Sequence, residues 1–124
     1  GLVGLVEKDY DWVMAGPDDA PHDKKAKHPE TGCCACGAYT SPFVMQLYAH
    51  ALEESLFNSE EGVNTFCRFI NKNARVLHDR ENSRRGGMFV ILSRKPFQIP
   101  LSYEVGPWAV EPFWAGKTIN WSYV

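Results

Sequence analysis

The chain has 124 residues, of which 44% are hydrophobic and 23% are charged, and its formal net charge is −2. This length predicts a single domain over residues 1–124, and the ordinary content of ten Gly and eight Pro excludes a low-complexity or disordered chain. No apolar run reaches the roughly 18 residues of a membrane helix. We expect a soluble intracellular protein, although the four cysteines leave an extracellular location open.

The first 40 residues combine two β-prone pieces with a long irregular segment. Residues 2–6 and 10–14 are rich in Val, Leu, Tyr and Trp, which favours short strands. Residues 15–40 are rich in Gly, Pro, Asp, Lys and Cys and follow no period. A loop of this length inside a compact domain is typically functional or mobile.

Two helices are predicted in the middle of the chain. Ser41-Pro42 is typical of an N-cap followed by proline in the first turn, and apolar residues then repeat at helical spacing up to Leu56. A second helix is predicted from Ser59, because Glu60 and Glu61 place negative charge in its first turn. The apolar face predicted for this second helix consists of Val63, Phe66, Cys67, Ile70, Ala74 and Leu77.

The C-terminal 40 residues change from a helical to a β period. Residues 88–92 are a continuous apolar run, residues 97–105 alternate, and two shorter β-prone pieces occupy residues 110–114 and 119–123. Gly106-Pro107 separates two of these pieces. The predicted fold class is α+β, with two central helices packed on a mostly antiparallel sheet and a C-terminal β-meander.

Three of the four cysteines lie close together in the irregular segment. Cys33, Cys34 and Cys36 fall within four residues, and His28 precedes them in the same loop. Thiolate and imidazole groups are ligands that zinc prefers, four of them in a tetrahedron. One interpretation is therefore a zinc site, and the alternative is a loop of small, partly buried thiols.

A second interpretation makes Cys36 a nucleophile. It precedes the predicted helix at Ser41, and the positive end of a helix favours the thiolate. His78 or His50 would be its base. The Cys36-Gly37 pair before a helix resembles cysteine peptidases of the papain-like and ubiquitin-like-protease groups, which would imply a hydrolase or protease using Cys36 with His78.

A third interpretation concerns Cys67. The segment Phe66-Cys67-Arg68-Phe69-Ile70 is similar to the helical stretch of flavin-binding LOV domains of the PAS fold, and this likeness would imply a flavin-binding sensor with Cys67 against the flavin ring. The chain departs from that pattern at Asn71, where a glutamine is expected. The helical spacing favours the alternative, in which Cys67 is a small core residue, and the family is not assigned.

Charge is unevenly distributed along the chain. Residues 1–23 carry six carboxylates against one lysine, whereas residues 68–95 carry eight cationic side chains against two carboxylates. Such an asymmetry indicates either an anionic partner or two regions that face each other in the fold.

These observations favour a small binding or regulatory domain over an enzyme. Its predicted binding residues are Arg80, Arg84 and Arg85 in a glycine-bearing basic loop, with Trp108 and Trp114 in aromatic C-terminal turns. The expected partner is a protein or a small anionic ligand, with nucleic acid as a further option. The cysteine hydrolase and the flavin sensor are the alternatives.

Overall fold

A computed structural model of the protein describes residues 1–78 and 89–124 and combines short helices with small antiparallel sheets. The helices are α1 (Leu2–Glu7), α2 (Lys24–Lys27), α3 (Val44–Leu56), α4 (Glu60–Cys67) and α5 (Asn73–Leu77), with a 3₁₀ turn (Ser41–Phe43) before α3 and a π-helical turn (Arg68–Lys72) between α4 and α5. The strands are β1 (Leu92–Ser93), β2 (Phe97–Gln98), β3 (Tyr103–Val105), β4 (Trp108–Val110), β5 (Thr118–Ile119) and β6 (Ser122–Tyr123). The α+β class is confirmed at this level.

The two central helices begin close to their predicted positions. The Ser59 hydroxyl accepts a hydrogen bond from the Gly62 backbone N–H at 3.1 Å, which confirms Ser59 as the cap of α4. At the other helix the chain first forms the 3₁₀ turn, and the Ser41 side chain does not cap it. Its N–H groups are instead satisfied by a carboxylate from the preceding segment, Asp19.

The predicted meander is wrong, because the strands within residues 1–78 and 89–124 form three separate two-stranded antiparallel sheets. Strand β1 pairs with β6, β2 with β5, and β3 with β4, so a single sheet supporting two helices is not confirmed. Proline at position 100 offers no N–H, so the ladder between β2 and β5 ends beside Ile99. The β3–β4 hairpin turns at Gly106, whose φ of +60° matches the first position of a two-residue hairpin loop.

The N-terminal strand predictions are also wrong. Residues 2–6 belong to α1, which buries Val6 against the central helices, and residues 10–14 contain a turn rather than a strand. The carbonyls of Tyr10 and Val13 accept hydrogen bonds from the Asn73 side chain instead of a neighbouring strand. Burial and hydrogen bonds to a distant part of the chain therefore override the β propensity of these residues.

The apolar core consists of two clusters. The first lies between α1, α3, α4 and the π-helical turn, and its buried members are Val6, Ala49, Leu52, Leu56, Phe66 and Phe69. The second ties the start of α3 to the β2–β5 pair through the fully buried Phe43, Ile99 and Ile119. In the described ranges, no helix combines the length and apolar character needed to cross a membrane.

The buried face of α4 and the following turns differs from the predicted one. Cys67 is exposed, as are Val63 and Leu77, whereas Phe69 and Asn73 are buried. The π-helical turn inserts a wider repeat after Cys67, which changes the angular position of every later side chain. The alternative that made Cys67 a core residue is therefore wrong.

Candidate functional site

The irregular segment before α3 contains a strained acidic residue. Asp18 has a φ of +47°, a left-handed conformation that few residues other than Gly adopt and that costs about 1–3 kcal/mol. Asp9 has a similar φ of +52°, but its carboxylate is paired with Arg68 through two hydrogen bonds. The Asp18 side chain is exposed and makes no hydrogen bond or ion pair within residues 1–78 and 89–124. Asp18 thus differs from Asp9 in presenting a carboxylate that has no partner among the described residues.

The next residue, Asp19, holds this segment in place. Its carboxylate accepts hydrogen bonds from the backbone N–H and the hydroxyl of Ser41 at 2.8 and 2.6 Å, and from the backbone N–H and hydroxyl of Thr40. Burial raises the pKa of Asp19, but the hydrogen bonds from Ser41 and Thr40 outweigh that effect and leave the pKa below its usual range. Asp19 therefore acts as the anchor of this segment.

Close backbone packing completes this anchor on the opposite side. The Ala20 N–H donates to the Ala38 carbonyl at 3.0 Å. A Cβ atom at Gly37 would lie 2.5 Å from the Ala20 Cβ and 3.3 Å from the Asp18 carbonyl oxygen, and the φ of Gly37 is +81°. Only glycine fits this position without displacing the segment that carries Asp18.

A histidine follows the strained residue after a tight turn. The His22 backbone N–H donates to the Ala20 carbonyl at 2.9 Å, which folds the chain around Pro21 in a three-residue turn. The imidazole of His22 is exposed. An exposed carboxylate, without a partner in residues 1–78 and 89–124, and an exposed imidazole thus lie four residues apart on one anchored segment. Both groups are able to transfer protons.

A groove of about 250 Å³ lies beside residues 37–39, between the α2 region and the aromatic residues after β4. Glu111 lies in this groove and binds Lys24 at 3.3 Å and His28 at 3.4 Å. The hydrogen bond from Lys24, followed by that from His28, holds the pKa of Glu111 below its usual range. The Trp114 ring, with Lys117 Nζ 5.4 Å from its centroid, forms the other wall.

The predicted zinc ligands are not gathered around one point. His28 bonds to Glu111, and Cys33, Cys34 and Cys36 are all exposed free thiols. In the part of the chain that the structure describes, no three His, Cys, Asp or Glu side chains are placed to hold a metal ion. The geometry therefore gives no support to a zinc site in this loop.

The predicted catalytic pair is also separated. His78 follows α5 and lies in a shallow groove beside Ile70 and Ala74, whereas Cys36 lies in the loop next to Gly37. No hydrogen bond joins the two side chains, both of which are described. The other candidate base, His50, lies on α3, where its Nδ1 accepts the Asn120 backbone N–H at 3.4 Å.

The structure describes the two predicted binding tryptophans but not the three predicted binding arginines. Arg80, Arg84 and Arg85 lie outside the described residues. Trp108 is 59% exposed and Trp114 is 38% exposed, and the Trp114 ring stacks on Phe113. The structure therefore presents both tryptophans at the surface.

Sequence reasoning missed Asp18 and His22. The available signal was the run Asp18-Asp19-Ala20-Pro21-His22, which places two carboxylates and an imidazole around a proline in a long loop. Two properties distinguish Asp18 from Asp19: its left-handed backbone and, among the residues that the structure describes, its lack of a partner. Neither property can be read from the residue types.

Comparisons with known proteins give a consistent result. No family model matches the chain. The chain is 35% identical over 121 residues to a dihydroorotase from Yersinia enterocolitica, and the match covers 98% of this chain and 32% of that protein. It is 31% identical over 120 residues to a dihydroorotase from Halorhodospira halophila, with 97% and 32% covered.

Solved structures show the same likeness. A dihydroorotase from Campylobacter jejuni superimposes with a TM-score of 0.77 at 27% identity, covering 99% of this chain and 33% of that one. The Saccharomyces cerevisiae dihydroorotase in complex with 5-fluoroorotic acid superimposes with a TM-score of 0.83 at 24% identity, which shows likeness of fold.

These findings overturn the prediction of a small regulatory binding domain, together with its cysteine-hydrolase and flavin-sensor alternatives. The chain spans about a third of the length of the curated relatives that it matches. Across nearly all of its own length, it is similar in sequence and in fold to that third of dihydroorotases.

Proposed function

We propose that this chain contributes part of the active site of an enzyme of the dihydroorotase kind. The observation that supports this proposal is the 35% identity to the Yersinia enterocolitica enzyme over 98% of the chain. The likeness to the Campylobacter jejuni structure extends over the same length. The substrate would then be dihydroorotate, a ring that carries both a carboxylate and cyclic amide groups.

Asp18 is the residue to which we assign proton transfer. Opening or closing a cyclic amide needs a group that takes a proton from the attacking atom and returns one to the leaving atom. The Asp18 carboxylate is exposed and has no partner among residues 1–78 and 89–124, whereas Asp19 is occupied by Thr40 and Ser41. The strained backbone at Asp18 fixes the direction in which its carboxylate is presented.

His22 is the residue to which we assign contact with the substrate carboxylate. Its imidazole is exposed and lies on the same anchored segment as Asp18. An imidazole N–H donates a hydrogen bond to a carboxylate oxygen, and a protonated ring adds a favourable charge interaction. The 5-fluoroorotic acid in the Saccharomyces cerevisiae structure carries a carboxylate of the same kind.

A chimeric enzyme tests this function. The matching third of the Yersinia enterocolitica dihydroorotase would be replaced by this chain, and turnover of dihydroorotate would be followed by its absorbance. We expect turnover in the chimera and a loss of about 100-fold or more in Asp18→Asn, because general acid–base groups contribute about 10²–10⁴-fold. The matched control is Asp11→Asn, an exposed aspartate outside the anchored segment.

Two results would count against the proposal. A chimera that is folded by circular dichroism, monodisperse and inactive would overturn the proposed function. An active chimera in which Asp18→Asn and Asp11→Asn retain equal turnover would leave the function standing and remove Asp18 from the site.

We also propose that residues 1–124 fold as one unit. Contacts between distant parts of the chain support this, since Gln46 Nε2 donates to the Trp121 carbonyl at 3.2 Å and Asp23 bridges to Val110. A single unfolding transition, with coincident fluorescence and circular dichroism curves, is the expected result. Two separated transitions would contradict it.

A further inference from the structure

The loop of residues 28–37, called the thiol loop below, presents three sulfur atoms to solvent. Cys33, Cys34 and Cys36 are all free and exposed. Cys33 and Cys36 are separated by two residues, the spacing at which a β-turn brings the first and fourth Cα atoms within about 7 Å. That separation overlaps the range of about 4.4–6.8 Å found between Cα atoms of disulfide-bonded cysteines.

The thiol loop is fixed to α2 through a single residue between these cysteines. The Ala35 N–H donates to the Ala26 carbonyl at 2.9 Å, and the Ala35 carbonyl accepts from Lys27 Nζ at 2.8 Å. The same Lys27 ammonium donates to the Gly37 carbonyl. Residues 33–36 form no turn in this conformation. This open backbone lets the Ala35 N–H reach the Ala26 carbonyl and the Ala35 carbonyl reach Lys27 Nζ.

We propose that Cys33 and Cys36 form a reversible intrachain disulfide and that this modification releases Ala35 from α2. The oxidant is a low-molecular-weight disulfide such as glutathione disulfide. One protein thiolate attacks it and forms a mixed disulfide, and one glutathione leaves. The second protein thiolate then displaces the other glutathione, so the dithiol loses two electrons and two protons while the oxidant becomes two thiols.

The structural consequence follows from the turn that the new bond requires. Closing Cys33 onto Cys36 bends the backbone at Ala35 and breaks its two bonds to Ala26 and Lys27. Gly37 is next to this bend and packs against Ala20 and the Asp18 carbonyl. The oxidised loop therefore disturbs the segment that carries Asp18, and this regulatory step rests on the proposed function.

Mass spectrometry tests the modification without any activity measurement. In a Cys67→Ser background, the reduced chain would be treated with glutathione disulfide, quenched by alkylation and weighed intact. We expect the Cys34→Ser variant of this background to lose the mass of two hydrogen atoms and to take up neither glutathione nor the alkylating group, because Cys33 and Cys36 are then its two remaining thiols. Cys33→Ser and Cys36→Ser should each retain bound glutathione and form no intrachain disulfide. A Cys34→Ser variant that forms no intrachain disulfide, or that accumulates glutathione adducts instead, would overturn the proposal.

Amide hydrogen exchange tests the release of Ala35. The Ala35 amide should exchange at least about tenfold faster in the oxidised chain, whereas the Gly62 amide, held by the Ser59 hydroxyl at the start of α4, should keep its rate. An unchanged Ala35 rate in a chain shown to carry the disulfide would refute the release.

The chimera then separates this inference from the proposed function. Oxidation should lower turnover in the active chimera, and reduction should restore it. A chimera that is active but forms no disulfide would overturn the inference alone. A chimera that forms the disulfide but has no activity when reduced would overturn the proposed function alone.

Discussion

The Asp19 carboxylate and Ser41 are 22 residues apart in the sequence and are joined by two hydrogen bonds, of 2.8 Å to the backbone N–H and 2.6 Å to the hydroxyl. The carboxylate thereby satisfies a backbone donor at the start of the helical turn, a role that a local side chain more often fills. The same contact closes the long irregular segment onto α3. It fixes the backbone of the neighbouring Asp18, which is the residue that we assign to chemistry.

The first prediction concerns the pH dependence of this anchor. The pKa of Asp19 is lowered in the folded chain, so its contribution to stability is present above the unfolded-state pKa of about 3.9 and is lost as pH falls through the folded value. Asp19→Asn should therefore be less stable than the parent at neutral pH, and the difference should shrink under acidic conditions. Urea unfolding at a series of pH values measures it.

The control for this prediction is Asp11→Asn, because Asp11 is exposed. The Asp11→Asn substitution should leave the pH dependence of the unfolding free energy close to that of the parent. If Asp19→Asn followed the parent profile from neutral to acidic pH, the anchor would contribute nothing to folding.

The sequence was a good guide where the signals are local. The sequence predicts the helix start at Ser59 because the signal is short: a capping hydroxyl is followed directly by two acidic residues, Glu60 and Glu61, in the first turn. The Gly106 turn was predicted for a similar reason, since glycine readily adopts a positive φ.

The sequence was a poor guide where distant contacts decide the structure. Residues 2–6 have β propensity, yet Val6 is buried in a helix against the first core cluster. The π-helical turn after Cys67 changes which of the later side chains are buried. No residue type in Arg68–Lys72 predicts such a turn. The left-handed backbone of Asp18 depends on the anchoring of Asp19 to Ser41, a contact between distant residues. The candidate site could therefore not be predicted from the sequence.

The second prediction concerns the contact between α3 and α4. A Cβ atom added at Gly62 would lie 1.8 Å from the Leu56 carbonyl oxygen, so Gly62→Ala must displace one helix. We expect a loss of stability of about 1–3 kcal/mol or more, typical of overpacking. Thermal and urea unfolding measure it.

Gly4→Ala is the matched control for Gly62→Ala. Gly4 also lies in a helix, but its added Cβ would be 3.8 Å from the nearest side-chain atom, a carboxylate oxygen of Glu7. Alanine should stabilise α1 by up to about 1 kcal/mol, because glycine is the weaker helix former. Equal effects of the two substitutions would contradict the close helix contact.

The third prediction concerns the buried Asn73. Its Nδ2 donates to the Val13 carbonyl at 2.8 Å and to the Tyr10 carbonyl at 3.2 Å, and so holds the N-terminal segment on α5. Asn73→Ala leaves both acceptors without this donor and should cost about 2 kcal/mol or more. Asn71→Ala, at an exposed position, should change stability by less than about 0.5 kcal/mol. Similar losses in the two variants would show that the amide bridge is not what holds the segment.

The fourth prediction compares two phenylalanines of opposite burial. Phe43 is fully buried in the second core cluster, whereas Phe89 is 93% exposed. Phe43→Ala should lose about 3–5 kcal/mol, and Phe89→Ala should change stability by less than about 0.5 kcal/mol, as measured by urea unfolding of the chain.

The exposed Phe89 side chain also belongs to a surface that we expect to be covered in the proposed enzyme. Several other large apolar side chains are exposed, Leu2 at 83% and Leu101 at 74% among them, and the chain spans about a third of its relatives' length. We expect the remaining two thirds of the chimera to cover part of this apolar surface, since such side chains are stabilised by removal from water. Phe89→Ala should then lower the melting temperature of the chimera while leaving that of the isolated chain unchanged. Equal melting temperatures of the parent and variant chimeras would show that Phe89 remains in solvent in the longer protein.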